Sequence, residues 1–308
     1  MRQHTAPREI HGIAALFLSF DEHGRFDREA LHASVARAHE AGLDVAVNMD
    51  TGFGPALTPT ERREVLHVTR QVLGPRVAFV AGAMPFGHDT DPLDAYRDEV
   101  YAICEVGATP IIFPSEELPA DVVPFVEEVV TDAPRALAFE LGPQFAPFGR
   151  TFDTDTFKAL LQVPGLVGLK HSSLSRTLEW ERLDLAAAER PGFRIYSGND
   201  LAIDMVCFGS DYLLGLAAFD VDAFASRDQC WADGDDRFWA LNDALQAVGR
   251  VAFREPVPAY KDSCAVYLRV TGQIPDARPH PSCERRPDWE SSVLEPLAAT
   301  LAAVKEDR

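Results

Sequence analysis

Short runs of aliphatic and β-branched residues alternate with longer amphipathic segments, from the start of the chain to about residue 250. The short runs predict eight strands: Gly12–Leu18, Leu43–Met49, Val77–Ala83, Thr109–Phe113, Arg135–Phe139, Leu166–Lys170, Phe193–Tyr196 and Tyr212–Leu216. The amphipathic segments predict the intervening helices: Asp27–Ala41, Thr60–Leu73, Pro92–Glu105, Asp121–Thr131, Thr154–Leu161, Arg176–Glu189, Ala202–Phe208 and Asp222–Gln246. Such a repeated strand-helix order is typical of a parallel sheet covered by helices.

Eight strand-helix units favour a closed barrel over an open sheet, so the predicted fold is a (β/α)₈ TIM barrel. No strand is followed by a GxGxxG or Walker-type loop, which leaves the nucleotide-binding α/β folds without local support. Two more helical segments follow, near Ala259–Val270 and Glu290–Lys305. We therefore expect a barrel over residues 1–250 and a helical extension over residues 251–308 that packs on it.

The composition argues against two kinds of partner, membranes and nucleic acids. The 308 residues are 46% hydrophobic, enough to bury a large core, yet no run of eighteen apolar residues or secretory leader is visible. We therefore expect a cytoplasmic protein that does not bind a membrane. The formal net charge of -19 argues against nucleic acid as a partner, because phosphate contacts need clustered lysine and arginine.

Lysine is scarce, which makes its positions informative: the four lysines are Lys158, Lys170, Lys261 and Lys305. Arginine stays protonated, so any imine chemistry on a side-chain amine needs one of these four. In barrels of this kind the reacting groups lie at the carboxyl ends of the strands, and Lys170 ends the sixth. An inward-facing Lys170 would have its pKa lowered by desolvation, whereas an outward-facing one would extend into solvent.

The residues around Lys170 resemble a known family. The segment Gly168-Leu169-Lys170-His171-Ser172 is similar to the G-[IV]-K-x-[ST] segment that carries the Schiff-base lysine in the dihydrodipicolinate synthase and N-acetylneuraminate lyase family of class I aldolases. Further matches follow in family order, among them Thr51-Gly52, Ser197-Gly198-Asn199-Asp200, Gly209-Ser210-Asp211 and Pro256-Val257-Pro258-Ala259-Tyr260-Lys261. The resemblance implies a homo-oligomer, either dimer or tetramer, that forms an imine on Lys170 without a cofactor.

The chain also departs from the family pattern. The family's G-T-T-G-E turn, which holds the carboxylate of a 2-oxo acid, is replaced here by Met49-Asp50-Thr51-Gly52-Phe53. Phe139 stands where the family has its strand-five tyrosine, and the strand-four tyrosine aligns near Ser115 or Glu116. The usual tyrosine proton relay is therefore missing. Asp50 either serves as an acid or base beside Lys170 or hydrogen-bonds its own turn.

The candidate site follows from the strand ends and the resemblance. Lys170 and Asp50 are the candidate catalytic residues, and the candidate substrate-binding residues are Thr51, Gly52, Phe139, Glu140, Ser197, Asn199 and Leu216. Strand alternation turns Glu140 towards the helices unless the strand has already ended. No histidines occur at metal-ligand spacing, so no metal site is expected.

These residues predict a Schiff-base-dependent lyase, an aldolase or dehydratase, that acts on a small carbonyl compound such as a 2-oxo acid or a relative of one. The alternative is a barrel that has lost catalysis and binds a ligand or regulates, because several customary catalytic positions have changed. The retained lysine favours the enzyme.

Overall fold

Residues 3–306 are described by a computed structural model, in which eight parallel strands close into a barrel in chain order. The strands are β1 Gly12–Ala15, β2 Asp44–Val47, β3 Val80–Ala83, β4 Thr109–Ile112, β5 Ala136–Leu141, β6 Leu166–Ser172, β7 Arg194–Ser197 and β8 Asp211–Leu214. Each strand pairs with its sequence neighbours, and β8 pairs with β1. The predicted (β/α)₈ TIM barrel is confirmed.

Among residues 3–306, ten helices surround or extend the barrel. They are α1 Arg28–Glu40, α2 Pro59–Leu73, α3 Pro92–Glu105, α4 Val122–Val129, α5 Thr154–Leu161, α6 Arg176–Glu189, α7 Val221–Asp233, α8 Arg237–Ala252, α9 Tyr260–Val270 and α10 Glu290–Glu306. Helix α2 begins with a capping box in which Thr58 and Glu61 satisfy each other's backbone N–H groups. This cap fixes the first turn of α2.

Two helical predictions need correction. The segment predicted as one helix, Asp222–Gln246, is divided into α7 and α8, because Gly234 adopts a left-handed conformation (φ 69°) that ends α7. The segment predicted as the helix Ala202–Phe208 is a 3₁₀ turn, Ile203–Phe208. Both changes lie outside the strands and leave the order of the barrel intact.

The carboxyl-terminal helices lie against the outer layer of the barrel. Helix α10 packs against α8 and α9, and α9 begins beside the carboxyl ends of the strands, where Tyr260 contacts the turn after β2. Helix α8 crosses residue 250, and the division of the chain at that residue stays a prediction. None of the helices within residues 3–306 combines the length and the apolar character needed to cross a membrane.

Candidate active site

Lys170 lies inside the barrel near the carboxyl end of β6. In the register of the sheet it pairs with Phe139 on β5 and Tyr196 on β7, and paired residues of parallel strands face the same side. Only 9% of Lys170 is exposed, and its Nζ lies 4.4 Å from the centroid of the Phe139 ring. The amine is thus held against an aromatic surface and does not extend into solvent.

Burial lowers the pKa of Lys170 from 10.5 to about 8, and the nearby carboxylates of Asp200 and Asp50 oppose part of that change. Burial also raises the pKa of Asp200 to about 7, although its Oδ1 accepts a hydrogen bond from the Leu216 backbone N–H at 2.7 Å. At pH 7 a pKa of about 8 leaves roughly a tenth of this lysine as the neutral amine, which is the nucleophilic form, whereas a lysine with the ordinary pKa of 10.5 is almost entirely charged.

Asp200 is a site residue that the sequence reasoning missed. It lies in the strand-end segment Ser197-Gly198-Asn199-Asp200, which predicted Ser197 and Asn199 instead. A carboxylate three residues beyond a barrel strand was the signal that could have found it.

Asp50 belongs to a four-residue cluster at the mouth, the Asp50 cluster: Asp50, Thr51, Tyr260 and Lys261. Tyr260 donates to Asp50 Oδ2 at 3.0 Å, and Lys261 Nζ lies 2.8 Å from Asp50 Oδ1. The Thr51 hydroxyl is 2.9 Å from the Tyr260 hydroxyl. Since the single proton of Tyr260 goes to Asp50, Thr51 is the donor in its bond to Tyr260. Asp50 therefore binds side chains of the carboxyl-terminal extension, and these bonds link its turn to α9.

The turn that carries this cluster has little room for larger residues. Asp50–Gly52 form a 3₁₀ turn, and a Cβ on Gly52 would lie 3.0 Å from the Leu16 carbonyl oxygen. Phe53 follows with a left-handed conformation, φ 56°. Gly52 thus allows the backbone of this turn to lie close to Leu16, directly after β1. Of Thr51 and Gly52, only Thr51 has a side chain that contributes to the cluster.

The opposite side of the mouth is aromatic. Phe113 and Phe139 are buried with ring centroids 5.5 Å apart, and Phe148 lies 6.4 Å from Phe113. Phe86 lies 5.6 Å from Phe148 and 6.5 Å from Phe113. We call these four residues the phenylalanine wall. Lys170 contacts the wall through Phe139.

Two predicted substrate-binding residues, Glu140 and Ser197, are not brought to the interior. Both follow an inward-facing residue, so alternation turns them towards the helices. Glu140 is fully buried and binds His171 Nδ1 at 2.6 Å and Arg182 at 2.8 and 3.1 Å. Ser197 donates to Glu179 on α6 at 3.1 Å. These side chains bind the helical layer to the sheet.

The remaining predicted residues are buried near the strand ends. The polar atoms of the Asn199 side chain have no hydrogen-bond partner among residues 3–306, whereas Leu216 contributes its backbone N–H to Asp200. Of the two tyrosines that might approach the site, Tyr196 has its hydroxyl 3.1 Å from His11 Nδ1, ahead of β1 and thus at the other end of the barrel. Tyr260 is the one at the mouth.

Comparison with known proteins finds similarity to dihydrodipicolinate synthases and to a sialic acid aldolase. A 4-hydroxy-tetrahydrodipicolinate synthase from Methylibium petroleiphilum is 29% identical over 260 residues, which are 81% of this chain and 84% of that relative. The dihydrodipicolinate synthase of Thermotoga maritima has a TM-score of 0.80 at 15% identity and covers 96% of this chain and 99% of its own. The sialic acid aldolase of Ruminococcus gnavus also has a TM-score of 0.80 at 15% identity, with 97% and 99% covered.

The resemblance to the dihydrodipicolinate synthase and N-acetylneuraminate lyase family is confirmed. No model of a protein family matches the chain. The solved structures, at 15% identity, show the fold alone, while the curated relative extends the likeness to sequence over most of the barrel.

Proposed function

We propose that the protein is a Schiff-base-dependent lyase, an aldolase or dehydratase, that forms an imine between Lys170 and a small carbonyl substrate. The class, a class I aldolase-type lyase, agrees with the names of its relatives. The observation that carries the proposal is the buried Lys170 amine, whose pKa is lowered to about 8 by desolvation at the carboxyl end of a barrel strand.

The chemistry begins when neutral Lys170 Nζ adds to the carbonyl carbon and gives a carbinolamine. Proton transfer to its oxygen releases water and leaves a protonated imine, which withdraws electrons from the adjacent carbon. Cleavage of a carbon–carbon bond, or loss of a leaving group after proton removal, then proceeds through an enamine. The face of Phe139, 4.4 Å from Nζ, stabilises the positive charge of the imine. The protonated imine itself is the electron sink, so this route needs no metal or organic cofactor.

The Asp50 cluster supplies a proton path in place of the missing family tyrosines. Burial and the neighbouring Asp50 raise the pKa of Tyr260 well above its ordinary value, so its hydroxyl stays protonated and acts as a donor. When a proton taken from the substrate reaches the Thr51 hydroxyl, Thr51 passes its own proton to Tyr260 and Tyr260 passes its proton to Asp50, so that both hydroxyls stay neutral and Asp50 holds the proton. Protons can thus move along the chain Thr51, Tyr260, Asp50 without a charged intermediate exposed to water.

Trapping with borohydride tests the proposal. The wild-type protein is incubated with pyruvate, a hydroxyaldehyde or an aryl or alkyl aldehyde, reduced, digested and examined by mass spectrometry. We expect the reduced adduct on Lys170 and its absence from a Lys170→Arg variant. Lys158→Arg on α5 is the matched control, because it replaces a lysine whose side chain is 41% exposed and keeps both Lys170 and the Asp50 cluster. An absence of adduct at Lys170 with every carbonyl compound would overturn the proposal and leave a ligand-binding barrel without catalysis.

The remaining expectations concern partners and assembly. We propose a homo-oligomer, a dimer or a tetramer, on the strength of the family resemblance. Light scattering after size-exclusion chromatography checks it, and a mass of one chain, 33.9 kDa, would contradict it. A cytoplasmic location stays a prediction.

A further inference from the structure

The segment that carries Asp200 is bonded to helix α8 by the side chain of Gln246, which is buried. The Gln246 Nε2 donates to the Asp200 carbonyl oxygen at 3.0 Å, and its Oε1 accepts a hydrogen bond from the Ile203 backbone N–H at 3.1 Å. One amide therefore spans the connection from Asp200 to the 3₁₀ turn that begins at Ile203.

Helix α8 also packs directly on this backbone. Gly249 lies one turn after Gln246 and on the same face of the helix. A Cβ at Gly249 would lie 2.9 Å from the Asp200 carbonyl oxygen and 2.8 Å from Leu216 Cδ2. A larger residue would push the helix away, so Gly249 allows the Gln246 amide to reach Asp200.

The same segment passes beside Lys170. Two residues before Asp200, a Cβ at Gly198 would lie 2.9 Å from Lys170 Cε, so the backbone closely approaches the lysine side chain. Burial lowers the pKa of Lys170 and raises the pKa of Asp200, and the attraction between the two charges opposes both changes. Because such an attraction depends on separation, the position of the Asp200 backbone matters to the lysine.

We propose that Gln246 is a positioning residue for the Lys170 site: its amide fixes the backbone of Asp200 and thereby sets the separation between the Asp200 carboxylate and the lysine nitrogen. The consequence for adduct formation rests on the proposed imine function, whereas the separation exists without substrate. A side chain that fills the same space without hydrogen bonds leaves the Asp200 carbonyl oxygen and the Ile203 N–H unpaired. Buried unpaired groups are costly, so the segment shifts towards water and the carboxylate moves away from Lys170.

Gln246→Met is the test variant, because methionine has a length similar to that of glutamine and lacks the amide. We expect the midpoint of the Lys170 titration to fall by about half a pH unit, part of the roughly one to three units by which a close opposite charge moves a pKa. Gln246→Asn keeps an amide but is one methylene too short to span both partners. It should lower the midpoint in the same way, and it replaces the methionine variant if that protein does not fold.

Asn242→Leu is the matched control. Asn242 lies one turn before Gln246 on the same face of α8, and it is also a buried amide. Its Oδ1 has no hydrogen-bond partner within the part of the chain that the structure describes. The replacement thus removes a buried amide from the same helix without releasing Asp200, and we expect the Lys170 midpoint to keep its wild-type value.

The midpoint is measured by NMR in the substrate-free protein. The chain has four lysines, so labelling lysine with ¹³C at Cε gives four signals, and the signal lost in Lys170→Arg belongs to Lys170. Its chemical shift plotted against pH should give a midpoint near 8 in the wild type. We expect a lower midpoint in Gln246→Met, and no further fall when Gln246→Met is added to Asp200→Asn.

Three results would each overturn the positioning role: an unchanged midpoint in Gln246→Met, an equal fall in Asn242→Leu, or the same further fall in the Asp200→Asn background. The pH profile of borohydride-trapped adduct on Lys170 should move together with the NMR midpoint. No adduct in the wild-type protein would overturn the imine function instead, and the NMR midpoints would still decide the role of Gln246.

Discussion

Replacing Lys170 with methionine is expected to stabilise the protein at pH 7. The amine has an ordinary pKa of 10.5 in the unfolded chain and a pKa of about 8 in the folded barrel, so at pH 7 folding must bury a positive charge. At about 1.4 kcal/mol for each pH unit between the two values, that burial costs about 3 kcal/mol of folding free energy. Methionine has a similar length and no charge, so the free energy of unfolding of the variant should be higher by up to this amount.

The direction of the pKa shift of Lys170 determines how the stability difference changes with pH. Below pH 8 the lysine is charged in both states, and the full cost is present. Between pH 8 and 10.5 the folded lysine is neutral while the unfolded lysine still binds a proton, so the wild-type protein gains stability as the pH rises. By pH 9.5 the advantage of the methionine variant falls to about 1 kcal/mol, and above 10.5 it vanishes.

Equilibrium urea unfolding of both proteins at pH 7 and 9.5 measures this difference. The matched control is Lys158→Met on α5, where the lysine side chain is 41% exposed, and its effect should stay within about 0.5 kcal/mol at both values. The reasoning is refuted if Lys170→Met is no more stable than the wild type at pH 7, or if its advantage does not shrink at pH 9.5.

Three further outcomes are expected. The rate of adduct formation on Lys170 should rise with pH around a midpoint near 8, and a midpoint near 10.5 would contradict the burial argument. Asp200→Asn should move that midpoint lower, because it removes a charge that raises the pKa of Lys170. Tyr260→Phe should slow turnover about a hundredfold, while the adduct on Lys170 can still be trapped. Rapid-quench kinetics separates the rate of adduct formation from the rate of turnover. Unchanged turnover would exclude the proposed proton path. Glu140→Leu should destabilise the fold by about 3–5 kcal/mol in urea unfolding, because it removes the short hydrogen-bonded partner of the buried Arg182 and leaves only Glu181, at 3.7 Å, as an acidic partner among residues 3–306. A near-neutral effect would show that the pair is dispensable.

The sequence predicted the barrel well because its signals are local. Each strand is a short apolar run bounded by polar or turn residues. Alternation placed Lys170 on one face of its strand but left open whether that face is the interior, which the register of the sheet shows. The break at Gly234 was missed although a glycine among aspartates marks it, because the apolar periodicity continues through both helices. Local patterns therefore predicted elements more reliably than their interruptions.

The site was predicted less completely because its partners are remote in sequence. Tyr260 lies 210 positions from Asp50, and no spacing rule joins a turn after β2 to the first residue of α9. Phe86 and Phe148 lie on loops, where periodicity carries no information about direction. Glu140 was named for its position at a strand end, yet alternation, which had pointed it outward, gave the better prediction.

Phe139 acts on the nitrogen of Lys170 in two ways. Its ring helps to exclude water from the amine, and this burial lowers the pKa of Lys170. The face of the same ring lies 4.4 Å from Nζ, where it stabilises a positive charge on the nitrogen once the protonated imine has formed. A polar residue at this position would admit water and raise the pKa of Lys170, so that less of the amine would be neutral at pH 7 and adduct formation would slow.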